Sequence, residues 1–116
     1  MALKQFVQSF AYALQGVKIA WMRGVNFRIQ ICIAVLVLAA AVRMQASFIE
    51  ESALVLAVGA VLGAEIFNTA LEELCDKFSP THDPHIARIK DLSAAAVLVI
   101  SVAALVVGIL VFGHHV

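Results

Sequence analysis

The chain has 116 residues, 63% of them hydrophobic and 14% charged, with a formal net charge of zero. Soluble domains are roughly half apolar and about a quarter charged, so this composition excludes an ordinary soluble enzyme and describes an integral membrane protein. A balanced charge points to no nucleic acid partner.

Leu3, Phe6, Val7, Phe10, Leu14, Val17 and Trp21 recur at steps of three and four, while Lys4, Gln5, Gln8, Ser9, Gln15 and Lys18 take the other side. This spacing predicts an amphipathic helix over about residues 2–23. Gln5, Gln8 and Ser9 interrupt the apolar core that a secretory leader needs, so the helix is expected to lie in the membrane interface. Gly24 then offers a break, where a positive φ would explain the glycine.

Three apolar runs follow, each long enough for a hydrocarbon core of about 30 Å. The first is expected over 27–49, with Arg28 at its start and Arg43 late, and the second over 52–78. The third is expected over 90–112; from Leu92 to Phe112 its only polar side chains are Ser93 and Ser101. Gly59 and Gly63 form a small-xxx-small pair that would let another helix come close. The connection from Ser79 to Lys90 holds Pro80 and Pro84 and reads as an extended loop, with Asp91 near the start of the third span, where it would suit the helix dipole.

Lys4, Lys18, Arg23 and Arg28 precede or open the first span, and Lys77, Arg88 and Lys90 lie around the second connection. By the positive-inside bias the N-terminus and second connection are cytoplasmic and the C-terminus lies outside. Cys32 and Cys75 have neither paired nor metal-ligand spacing and read as small buried hydrophobes. His114 and His115 read as a loose polar end.

Glu65 interrupts the second run. On a helix turning about 100° per residue, Glu65, Asn68, Thr69, Glu72 and Asp76 fall within roughly 100° of arc, so three carboxylates share one face. A carboxylate within the bilayer costs about 2.5 to 3.5 kcal/mol on insertion scales and marks a functional site. Seen alone, Glu72, Glu73 and Asp76 would read as a solvated helix end, and Lys90 with Asp91 as interfacial anchoring and capping.

The run Ala64-Glu65-Ile66-Phe67-Asn68-Thr69-Ala70-Leu71-Glu72, then Asp76, then Lys90-Asp91, resembles the prokaryotic diacylglycerol kinase family, which includes undecaprenol kinases. The resemblance covers nearly the whole chain. Asn26-Phe27-Arg28-Ile29-Gln30 and Ser79-Pro80 look like the undecaprenol kinase branch, and Gly16 and Trp21 fit the family's surface helix. It implies an all-α protein of one surface helix and three transmembrane helices, assembled as a homotrimer with active sites between protomers in the bacterial cytoplasmic (inner) membrane. It also implies an ATP-dependent lipid kinase that uses Mg²⁺ and phosphorylates diacylglycerol to phosphatidic acid or undecaprenol to undecaprenyl phosphate. By the resemblance Glu65 is the general base and, with Asn68, borders the lipid; Glu72 is a metal ligand; Asn68, Glu72, Asp76, Lys90 and Asp91 hold the nucleotide.

The chain departs from that pattern at four positions. A second metal-binding Glu belongs three residues before Phe27-Arg28, where Gly24 stands. Gln8 and Ala11 occupy positions at which relatives often carry Lys or Arg, and Asp83 replaces a common loop His. Because Mg²⁺ is often held by one or two carboxylates plus phosphates, Glu72 alone is compatible with it. The alternatives are a noncatalytic or weakly active relative that binds lipid or nucleotide, and a small proton- or cation-handling channel.

Overall fold

A computed structural model describes residues 1–78 and 83–116, so Ser79 and Pro80 lie outside the described residues. The described residues form four helices, α1 (Ala2–Arg23), α2 (Val25–Arg43), α3 (Phe48–Phe78) and α4 (Pro84–His115). The last three are long and apolar enough to cross a membrane. At about 1.5 Å per residue, α3 and α4 are each more than 45 Å long and outreach a 30 Å hydrocarbon core.

The first span is shorter than expected. Its helix ends at Arg43 instead of continuing to Ile49, because Gln45 turns into the left-handed region at φ 58°. Ser47 then starts the next helix: its Oγ accepts from the Glu50 amide at 3.1 Å, and Glu50 Oε1 accepts from the Ser47 amide at 2.8 Å. This reciprocal capping box satisfies two donors that the helix end would leave unpaired. Its backbone hydrogen bond, with the His115 side chain beside it, pulls the Glu50 carboxyl from 4.5 down to about 2. Glu50 lies ahead of the apolar run that begins at Ser52.

Two other expectations change at the helix ends. The long connection contracts, because α4 already begins at Pro84: the Asp83 side chain accepts from the amides of His85 at 2.8 Å and Ile86 at 3.4 Å, with Pro84 at the first helical turn. Capping therefore falls to Asp83, and Asp91 sits beyond the first turn. The C-terminal end is not loose, since His115 Nε2 lies 3.0 Å from Glu50 Oε1 and joins the end of α4 to the start of α3.

α3 is the central helix, packed against α2 on one flank and more extensively against α4 on the other. A small core of Ala41, Leu54 and Val111 forms where the end of α2 meets the start of α3 and the end of α4. Cys75 is buried as expected, but Cys32 is exposed. A Cβ added at Gly59 or Gly63 would meet nothing within 4 Å, so these glycines serve no close helix approach within one chain.

Candidate active site

The end of the bundle away from this core is more polar. α1 passes into α2 through Gly24 alone, whose amide donates to the Ala20 carbonyl at 3.0 Å and whose carbonyl accepts from Arg28 at 3.2 Å. Gly24 has φ −108° and ψ 110°, so the expected positive φ is absent and any residue can adopt its backbone. A Cβ there would come within 3.2 Å of the Ala20 carbonyl oxygen and 3.4 Å of Phe27 Cβ, a tight fit that requires the Ala20 backbone carbonyl to give by a few tenths of an ångström.

This junction forms one wall of a cleft of about 590 Å³. Arg23, Gly24 and Asn26 face Glu65, Asn68 and Glu72 on α3, while Val97 and Ser101 contribute from α4. Glu65 is 7% exposed in the single chain, the one buried carboxylate among the described residues. Thr69 Oγ1 donates to the Glu65 carbonyl at 3.0 Å and so turns its hydroxyl to the helix backbone.

Asn68 connects two helices. Its Nδ2 donates to Glu72 Oε1 at 2.7 Å, and its Oδ1 accepts from Ser93 Oγ at 2.7 Å. An ionised carboxylate can only accept, so the amide must present its NH₂ to Glu72 and its carbonyl to Ser93. The chain of bonds holds the Glu72 carboxylate toward the cleft from a fixed point on α4. The sequence marked Ser93 only as one of two polar residues in an apolar span; that isolation was the available signal.

Asp76 and Lys90 pair with each other at 2.8 Å and bridge the end of α3 to the first turns of α4, but neither lines the cleft. Asp91 is exposed one residue further along α4. Thus the fold brings Glu65, Asn68 and Glu72 onto one surface and leaves Asp76, Lys90 and Asp91 beside it. Arg23 reaches from the opposite wall and pairs with Glu73. The side chains of that pair are 63% and 46% exposed, in the class of surface ion pairs worth about 0.2 to 1 kcal/mol.

The donor set also bears on metal. No group of three His, Cys, Asp or Glu side chains is placed to hold an ion by itself among the described residues. One Glu72 oxygen is bound to Asn68 and its carboxylate faces an open cleft, which fits a Mg²⁺ completed by phosphates and water and does not fit an all-protein cage.

Three membrane-length helices with a carboxylate-lined cleft at one end of the bundle define a polytopic membrane protein with a polar site. Residues 11–112 match the family described as prokaryotic diacylglycerol kinase, and the chain belongs to that family of lipid kinases. It is 31% identical over 110 residues to the undecaprenol kinase of Bacillus subtilis, covering 95% of this chain and 89% of that protein. It is 38% identical over 101 residues to a diacylglycerol kinase of Synechocystis, covering 86% of this chain and 58% of that longer protein. It is 24% identical over 111 residues to the diacylglycerol kinase of Escherichia coli K12, covering 96% and 91%.

Proposed function

We propose that this protein transfers the γ-phosphoryl group of ATP to the hydroxyl of a membrane lipid, diacylglycerol or undecaprenol. The observation that carries the reading is the convergence of Glu65, Asn68 and Glu72 on one cleft beside the α1–α2 junction. Glu65 and Glu72 are about 10 Å apart along the helix axis, a separation that suits a lipid hydroxyl at the deeper residue and phosphates at the shallower one.

In this reading the Glu65 carboxylate takes the proton of the lipid hydroxyl as its oxygen attacks the γ-phosphorus. The bond from that phosphorus to the bridging oxygen breaks, and ADP leaves with the electron pair. Asn68, held by Ser93, positions Glu72 and offers its amide to the nucleotide. Glu72 would hold Mg²⁺, which supplies charge neutralisation on the phosphates when bound. Asp76, Lys90 and Asp91 form the outer nucleotide shell beside the cleft.

The same reading places the protein in the bacterial cytoplasmic membrane as a homotrimer. Its N-terminus and second connection face the cytoplasm and its C-terminus lies outside, with α1 as an interfacial helix. Gly24 supports a second reading, a relative that binds its ligands without efficient turnover, because no carboxylate stands there to share a metal with Glu72.

Protein purified in detergent micelles with γ-labelled ATP, Mg²⁺ and each lipid in turn separates the two. Label is expected in the extracted lipid with diacylglycerol or undecaprenol. Nucleotide binding without label in either lipid would overturn the kinase reading and leave the binding one.

A further inference from the structure

We propose that Arg23 is a phosphate-binding residue of the cleft, kept beside it by Glu73 until nucleotide arrives. The proposal deepens the kinase reading and rests on it for the identity of the anion. The cleft wall carries two carboxylates, Glu65 and Glu72, and among the described residues Arg23 is its one cation. A nucleoside triphosphate entering that space brings several negative charges toward two more. Lys90 cannot offset them without leaving Asp76, to which it is bonded at 2.8 Å off the cleft wall.

Arg23 is suited to the task by position and chemistry. It is the last residue of α1, directly before Gly24, and lies opposite Glu65, Asn68 and Glu72. Its guanidinium presents paired donors that match phosphate oxygens bidentately, a geometry lysine lacks. Its present partner is a weak hold: Glu73 and Arg23 are both substantially exposed, and a pair of that kind is readily exchanged for a polyanion. Glu73 itself does not line the cleft, so release of Arg23 adds no carboxylate to the site. The residue thus stores its charge at the rim and delivers it to the terminal phosphates.

Equilibrium binding of Mg-ATP and of AMP to the purified full chain in micelles tests this, alongside lipid phosphorylation. Arg23→Gln is expected to weaken Mg-ATP binding by about tenfold or more, the loss of one charge-assisted contact, while AMP, which lacks the terminal phosphates, binds as before. Arg23→Lys should recover part of the loss, and Glu73→Gln should bind Mg-ATP at least as tightly as wild type. Equal Mg-ATP affinity in Arg23→Gln and wild type would overturn the proposal, as would an equal loss in Glu73→Gln, which would make the pair structural. Failure of the kinase reading is read separately, as absence of labelled lipid from wild type that still binds Mg-ATP; the ATP-against-AMP contrast then decides Arg23 alone.

Discussion

Glu65 is buried to 7% exposure in a helix whose neighbouring positions are apolar, and that placement is costly for a carboxylate whatever else it does. Replacing it with the neutral isostere separates its cost from its use. Glu65→Gln is expected to lower lipid phosphorylation by about 100-fold or more, the scale of a lost general base, while thermal stability stays level or rises. Turnover of the purified variant near the wild-type rate would remove Glu65 from that role. At this scale the sequence exposed some residues and hid others for a physical reason. A lone acid in an apolar run has few structural explanations, so Glu65 stood out. Serine in a membrane helix commonly bonds its own backbone, so the Ser93 bond to Asn68 could be seen only once α4 lay beside α3. Arg23 was legible as a topological charge, but its place on the cleft wall depends on how α1 turns into α2.

Helix ends show the same division. The apolar runs located α2, α3 and α4, yet their boundaries moved because short polar caps end or begin a helix irrespective of hydropathy. Ser47 with Glu50, and Asp83 with Pro84, are such signals, and they account for the early start of both later helices. The Glu50 carboxyl, held down to about 2 by the Ser47 amide with His115 near it, links its cap to pH. A carboxyl depressed in the folded state stabilises above its ordinary 4.5 and loses that contribution as pH falls toward about 2. Thermal stability of wild type in micelles should therefore drop more steeply across that interval than that of Glu50→Gln, and parallel curves would remove the cap from the pH response. The α1–α2 junction gives a second test at this scale. Because Gly24 is extended, Gly24→Glu needs only a small adjustment around the Ala20 carbonyl, so its melting temperature should stay near wild type. If a missing carboxylate limits metal binding, this variant will reach half-maximal rate at lower Mg²⁺; a folded variant with unchanged Mg²⁺ dependence would show that the metal is held without help from this position.

For the whole molecule, the notable property is how little one chain covers. Leu36, Leu56, Leu98 and Val99 are each more than 60% exposed, as lipid or another protomer would require. Lipid tails are as apolar as these side chains, so hydrophobicity alone does not drive helices together; packing and polar contacts must. Two features of the single chain favour a neighbour. Gly59 and Gly63 mark a helix surface with room for close approach that nothing in the chain uses. The cleft, with its buried acid and hydrogen-bonded amide, remains open at the bundle's edge, where a second protomer would shield it from lipid. A homotrimer is the assembly expected from the family resemblance. Light scattering corrected for detergent should then return three times the 12.4 kDa of one chain. Gly59→Leu and Gly63→Leu should shift that mass toward the single chain if the small-residue face is the contact, with lipid phosphorylation falling in step. A wild-type preparation of single chains with undiminished turnover would overturn the trimer and require one chain to form the complete site.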